Sequence, residues 1–252
     1  MRSRYGVVEA TLKVKTFDAV ESALDHIMDM LRLCRGDNMG VRDLAPHLML
    51  RLGRYQDCYD FIRWWKTCDP HGTYDWGDTS LPYLNLKNED VYESVDYLCD
   101  RYPDLSYTVA TTLMKIKLLL FLKNYQGSTI LHEIKVDAKE TKSNKLPAEI
   151  VDQIRSDLLK GGVVGDLKGR EPAQLITDLS SQIEQLIMTV KKANKHFWPA
   201  LLDPGRHINA RPEAYIRGSV EEMQIKLHYS ADAWQENPDA LAYIRNKAGR
   251  GQ

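Results

Sequence analysis

Apolar residues recur at spacings of three and four along much of this chain, and this pattern restricts the fold more than any other sequence feature. Such spacing places side chains on one face of an α-helix. It occurs in the stretch from residue 17 to Gly36 (Val20, Leu24, Ile27, Leu31, Cys34), in Ser106–Asn124 (Val109, Leu113, Ile116, Leu120) and in Pro172–Asn194 (Leu175, Leu179, Ile183, Leu186, Val190). The sequence therefore predicts an all-α protein.

One segment carries a more specific helical-hairpin pattern. Gly53 is followed by Tyr55 and then by the small residue Cys58, and Pro70 stands 17 residues after the glycine. A glycine permits a tight turn between helices, and the small residue lets them approach. This segment resembles a tetratricopeptide repeat, whose period is about 34 residues. Pro46 departs from the pattern, so we expect the first helix of the hairpin to begin late or to kink there.

Other segments extend this plan along the chain. Val8–Val14 alternates as a strand would, but the hairpin plan favours a helix there. Val91, Val95 and Leu98 predict a helix over residues 88–100. Ser219 and Glu222 form a capping-box pattern that opens a helix to about Trp234, and Pro238 follows the cap of a last helix ending near Lys247. We predict stacked antiparallel helical hairpins in a TPR-like solenoid or superhelix.

Three regions follow from composition along the chain. Residues 1–132 are predicted to form TPR-like hairpins with an aromatic loop at 71–87, and residues 133–145 a charged linker. Residues 146–252 are predicted to be a C-terminal helical region that packs on the first, opened by a helix from Leu146. The glycine-rich stretch Gly161–Arg170 is interpreted as a flexible turn, since it lacks the Lys-Ser/Thr and the preceding strand of a phosphate loop.

Charge and cysteine usage argue against several classes of protein. The chain has 34 basic and 35 acidic residues among 252, so no overall field attracts nucleic acid or acidic lipid. Its four cysteines form no C-x-x-C pair, and its histidines form no H-x-x-x-H pair, so no metal or other cofactor is predicted. The longest apolar run, Leu118–Leu122, is far shorter than a membrane span. We expect a cytoplasmic protein with free thiols, and a nuclear location stays open.

The candidate binding residues are Tyr74, Trp76, Asp78 and Tyr83, all in the aromatic loop. Exposed aromatic side chains are common anchors for protein partners. The alternative is that these rings pack over the adjacent hairpin and hold a long connection in place. Sequence alone leaves both interpretations open.

A basic stretch, Lys191–Lys195, precedes His196, Phe197 and Trp198, and this combination of charge and aromatic rings is found in single-strand binders. Positive charge at a helix C-terminus also complements the helix dipole. We favour the second explanation and therefore do not predict nucleic-acid binding.

Three segments resemble a group of uncharacterised fungal proteins: residues 31–43 with Asp60–Trp65, Tyr74–Asp78, and Asn194–Leu202. Some members of that group end in a MYND-type zinc finger, for which this sequence has no cysteine cluster. The resemblance implies a helical body used for contacts with other proteins. We accordingly predict a non-catalytic interaction scaffold. The alternatives are an enzyme whose site is assembled from distant residues and, third, a nucleic-acid-binding helical array.

Overall fold

The computed structural model describes the backbone of residues 2–133 and 171–248 and the side chains of 2–124, 171 and 173–247. Within these ranges the regular structure is helical, with no β-strand, which confirms the all-α prediction. The α-helices are α1 (Arg2–Leu12), α2 (Phe17–Leu33), α3 (Ala45–Arg51), α4 (Tyr55–Thr67), α5 (Leu105–Glu133), α6 (Pro172–Ala193), α7 (Phe197–Leu202), α8 (Val220–Gln235) and α9 (Pro238–Ala248). Short 3-10 turns lie at Val41–Asp43, Asp96–Leu98 and Gly205–Asn209. The predicted helix at Leu146, the glycine-rich turn and nearly all of the predicted linker fall outside the described residues.

Polar side chains fix where α2 and α8 begin. The Thr16 hydroxyl accepts a hydrogen bond from the backbone N–H of Ala19 at 3.3 Å, and the Ser219 hydroxyl accepts one from Glu222 at 3.2 Å. These bonds satisfy N–H groups that have no partner within the helix. The carboxylate of Glu222 accepts from the N–H of Gly218 at 2.7 Å, one residue before the cap, so the capping box is formed in part.

A helical hairpin, α3–α4, lies where the sequence pattern predicted one. α3 begins at Ala45 with Pro46 in its first turn, where a proline costs no hydrogen bond. Gly53 adopts a left-handed φ of 71°, the conformation that glycine reaches without strain. The Cys58 side chain is fully buried, and its thiol donates to the Pro46 carbonyl at 3.6 Å across the hairpin. Val8 also lies within α1, which confirms a helix in the segment whose pattern alternates.

The helix predicted over residues 88–100 is wrong. Val91, Val95 and Leu98 are buried as predicted, but the segment is a series of turns with one short 3-10 turn. Its backbone groups are bound by other elements: the Lys115 ammonium donates to the carbonyls of Val91 (2.6 Å) and Glu93 (3.2 Å). Gln182 of α6 donates to the Tyr92 carbonyl at 3.0 Å. Burial of the same apolar residues is therefore achieved without an α-helical ladder.

Long-range packing joins the two ends of the chain. Successive helices α1 to α4 contact each other, α5 lies along α6, and α8 contacts both α3 and α5. The contacts of α8 join elements far apart in sequence, whereas each unit of a simple solenoid contacts its neighbours. By length and composition Leu105–Asn124 could cross a membrane, but 83% of that window is buried inside the protein.

Candidate binding groove

A cavity of about 470 Å³ lies between the N-terminal helix and the C-terminal part of the chain. Tyr5 and Glu9 of α1 line it, together with residues of α8 that include Lys226, His228 and Tyr229. Asp43 and residues 210–215, including Glu213 and Tyr215, also contribute to the lining. We call this cavity the α1–α8 groove. Its volume falls in the range of sites that enclose a small molecule or a few side chains.

Local structure explains how each wall presents its side chains. Tyr5 and Glu9 are four residues apart on α1, and Lys226 and Tyr229 are three apart on α8, so each pair shares a helix face. The turn carrying Asp43 is fixed by Asp37, whose carboxylate accepts from the N–H groups of Val41 (2.9 Å) and Arg42 (3.0 Å). The groove is thus bordered by backbone that is held independently of any ligand.

An ion pair between Lys226 and Asp43 forms the floor of the groove. Their side chains are 5% and 15% exposed, so this pair is largely shielded from water. Burial lowers the pKa of Lys226, but the Asp43 and Asp104 carboxylates outweigh it and raise the pKa above its ordinary value. The Lys226 ammonium also lies 5.6 Å from the centre of the Tyr215 ring. Lys226 is therefore charged, and its charge is already balanced inside the protein.

Three tyrosines supply the aromatic surface of the groove. The Tyr5 and Tyr229 side chains are neighbours, and burial raises the pKa of both phenols. The nearby Glu9 carboxylate raises the pKa of Tyr5 further. Burial, together with the charge of Arg211, lowers the pKa of His228 to about 4. At neutral pH these groups are uncharged and offer ring faces and hydrogen-bonding groups to a ligand.

Glu9 and Glu213 place two carboxylates at the rim of the groove. Both residues are exposed, and neither carboxylate forms a hydrogen bond or an ion pair with a residue in the described part of the chain. The guanidinium of Arg211, by contrast, donates to the carbonyls of Ile208 (2.9 Å) and Ala210 (2.8 Å). The rim therefore offers two free acceptors for a ligand.

A serine–histidine pair lies beneath the groove but does not have the features of a catalytic pair. His47 Nε2 is 3.1 Å from the Ser106 hydroxyl, which itself donates to the Asp43 carbonyl at 2.6 Å. With its proton on a carbonyl, Ser106 accepts from His47, so the histidine does not act as its base. Both residues are fully buried, so a substrate cannot reach the hydroxyl. Burial lowers the pKa of His47 to about 3.

The aromatic loop packs on α4. Trp76 stacks on Trp65 with ring centres 5.4 Å apart and an angle of 15° between the rings. Tyr83 and Trp64 form a T-shaped pair with ring centres 4.9 Å apart, and the ring centres of Tyr74 and Trp76 are 4.6 Å apart. The structure thus brings three of the four candidate residues together and leaves their rings partly covered by neighbouring rings.

The polar groups of this loop are also occupied. The hydroxyls of Tyr74 and Tyr83 donate to the carbonyls of Pro82 (2.6 Å) and Leu31 (3.1 Å). The guanidinium of Arg35 donates to three loop carbonyls, those of Asp78 (3.0 Å), Thr79 (3.1 Å) and Leu81 (3.2 Å). The exposed Asp78 carboxylate accepts two bonds from Ser80. The loop is therefore held by its own contacts, and partner binding through it stays a prediction.

The aromatic residues after the basic stretch are buried. Phe197 is 0% and Trp198 5% exposed, and the indole N–H of Trp198 donates to the Ile187 carbonyl at 3.1 Å. Lys191, Lys192 and Lys195 are exposed at the end of α6. These rings are therefore not presented for stacking on bases, although the positive charge is on the surface.

Sequence reasoning did not identify the groove, because its residues come from positions as distant as Tyr5 and Tyr229. The segment 210–217 gave one signal: it carries Pro212, Tyr215, Ile216 and two arginines without helical spacing, just before the cap of α8. Comparison with protein-family models, with curated proteins and with solved structures gave no match in any of the three. The groove must therefore be interpreted from its own chemistry.

Proposed function

We propose that this protein is a non-catalytic interaction scaffold that binds a segment of a partner protein in the α1–α8 groove. The observation that carries the proposal is an open, tyrosine-walled cavity of about 470 Å³ built on helices from both ends of the chain. Tyrosine and methionine are common at protein interfaces because they offer large contact areas. Met39 and Tyr215 line the groove and are 37% and 44% exposed, and Ile216 beside it is 80% exposed.

The helices around the groove fit the role of a scaffold that holds this surface in place. The α3–α4 hairpin turns at Gly53, and we propose that α1 to α4 are TPR-like hairpins whose first helix forms a wall of the groove. The four cysteines are free thiols, which fits a protein of the cytoplasm or nucleus. The aromatic loop is the second candidate surface for a partner.

Site-specific photocrosslinking in the cells that naturally produce the protein tests the proposal. A benzophenone amino acid replaces Tyr215 in the groove, Thr79 in the aromatic loop, or Met188 on α6. Thr79 is exposed and Met188 is 61% exposed, so neither replacement disturbs a buried contact. We expect position 215 to give a discrete adduct with one partner protein in every repeat of the experiment, and position 188 to give none.

Each other outcome is informative. Adducts from position 79 without any from position 215 would place the partner on the aromatic loop, where the sequence prediction has it. Adducts of equal intensity from all three positions would show random collisions and contradict the proposal. A helical far-UV circular dichroism spectrum for each variant serves as the control for folding.

The enzyme alternative has one specific observation in its favour. The groove gathers Lys226, His228 and Tyr229, whose pKa values are all displaced, and such groups often cluster at active sites. Lys226 is paired with Asp43, however, so its ammonium is neither a base nor a nucleophile. A reaction would therefore depend on His228 or on the tyrosines. Loss of a measured turnover in His228→Gln, with partner crosslinking unchanged, would favour an enzyme.

A further inference from the structure

We propose that the α1–α8 groove binds the positively charged side chain of a lysine or arginine in the partner protein. This inference rests on the proposed function and specifies the chemistry of the ligand. It follows from the charges left unbalanced in the groove, from the tyrosines that line it, and from the ion pair at its floor.

The charges of the groove leave an excess of negative charge at the rim. Lys226 and Asp43 neutralise each other at the floor, and His228 is uncharged at neutral pH. The carboxylates of Glu9 and Glu213 remain, against the single guanidinium of Arg211. Two negative groups against one positive group leave one negative charge, which a cationic side chain complements.

The tyrosine walls favour a cation over a neutral apolar ligand. Ammonium and guanidinium groups are attracted to the faces of aromatic rings within about 6 Å. The protein's own Lys226 lies 5.6 Å from the centre of the Tyr215 ring and so already makes such a contact. Tyr5 and Tyr229 line the same cavity as Glu9, so a cation in the groove lies close to tyrosine rings and a carboxylate together.

An anionic ligand fits the same groove poorly. Its nearest available positive group is Arg211, which donates one nitrogen to two backbone carbonyls. An anion would also approach Glu9 and Glu213, which repel it. The floor offers no compensation, because the Lys226 side chain is 5% exposed and its charge is balanced by Asp43.

Peptide titration of the full chain labelled with ¹³C-tyrosine tests the inference by NMR. The probes are capped pentapeptides of sequence Gly-Ser-X-Ser-Gly in which X is arginine, lysine, norleucine or glutamate. Replacing Tyr5, Tyr215 and Tyr229 by phenylalanine one at a time assigns their ring signals. We expect the arginine and lysine peptides to shift these signals, and the norleucine and glutamate peptides to bind at least about tenfold more weakly.

A charge-matched pair of variants separates a local effect from a change in net charge. Glu9→Gln with Glu213→Gln removes two carboxylates from the rim, and both positions are exposed, so folding is retained. Glu21→Gln with Asp25→Asn removes two exposed carboxylates from α2, outside the groove. We expect the first pair to weaken arginine-peptide binding about fivefold and the second to leave it unchanged.

The inference is overturned if the norleucine peptide binds as tightly as the arginine peptide, or if both pairs of variants weaken binding equally. If position 215 gives adducts but the basic peptides do not shift the tyrosine signals, the scaffold function stands and the proposal of a cationic ligand is contradicted. Binding of the basic peptides without any adduct in cells would support the cation site and contradict the scaffold function.

Discussion

The aromatic loop and the α1–α8 groove both combine tyrosine with acidic and basic residues, yet they differ in what their side chains contact. In the loop, Trp76 lies on Trp65, and the hydroxyls of Tyr74 and Tyr83 donate to backbone carbonyls. In the groove, Tyr5, Tyr215 and Tyr229 border an open volume, and two rim carboxylates have no hydrogen-bond or ion-pair partner among the residues that the structure describes. Aromatic composition therefore does not distinguish an open cavity from a packed loop. The difference lies in whether the contacts of the rings and polar groups are already made.

Replacing an aromatic residue in each region gives the largest expected contrast. Trp65 is 8% exposed and contacts Trp64, Trp76 and Tyr83, so Trp65→Ala should lower the free energy of unfolding by about 3–5 kcal/mol. Tyr215 is 44% exposed, and Tyr215→Ala should cost less than about 1 kcal/mol. Urea unfolding of the two variants measures both values. Equal losses would show that the groove wall is packed as a core and would remove the contrast.

The floor of the groove should respond to acid through His47. Burial lowers its pKa from 6.5 to about 3, so below pH 6.5 the unfolded chain takes up a proton that the folded protein does not. The contribution of neutral His47 to the free energy of unfolding is therefore fully present above pH 6.5 and is lost as the pH falls towards 3. Between pH 6.5 and 5 the loss should be about 2 kcal/mol, since one pKa unit corresponds to about 1.4 kcal/mol.

Urea unfolding at several pH values checks this expectation with two variants. His228, whose pKa is lowered to about 4, adds to the same acid slope, so His47→Gln should reduce the slope between pH 6.5 and 5 by about half. His71→Gln removes a histidine from an exposed position and should leave the slope unchanged. An acid slope that is the same in all three proteins would show that other groups, such as the carboxylates, determine it.

The smallest expected effect concerns the anchoring of the aromatic loop. Arg35 donates to three loop carbonyls and lies over the Tyr83 ring at 5.0 Å, so Arg35→Met should cost about 1 kcal/mol. Hydrogen exchange at the amides of Asp78, Ser80 and Leu81 should become about fivefold faster. Arg32→Met is the matched control, because its guanidinium is exposed and bound to Asp29 three residues away. Unchanged exchange in Arg35→Met would mean that the ring contacts alone hold the loop.

Much of the helical structure could be predicted because each helix satisfies its own backbone. The apolar positions of α2, α5 and α6 recur every three or four residues, and all five predicted core residues of α6 are buried. Ser219 and Gly53 marked a helix start and a turn through chemistry confined to a few neighbouring residues. Such signals are local, so one sequence contains them in full.

The segment 88–100 could not be predicted from its own residues. Val91, Val95 and Leu98 have helical spacing and are buried, but Lys115 and Gln182 take the carbonyls that a helix would use. The Asp60 carboxylate accepts from the N–H groups of Asn88 and Glu89, both at 2.9 Å, at the start of the segment. These partners lie on α4, α5 and α6, so no pattern within the segment reveals them.

The sequence by itself determined that the described parts of this protein are helical, where most of those helices begin and end, and that most apolar residues with helical spacing are buried. These properties follow from the spacing of apolar groups and from caps within one or two turns. Only the tertiary structure decided that Tyr5, Asp43, Tyr215 and Tyr229 share one cavity while Trp76 rests on its neighbours. The physical reason is that a cavity and its unpaired charges are created by packing between distant elements, whereas a helix depends mainly on residues close in sequence.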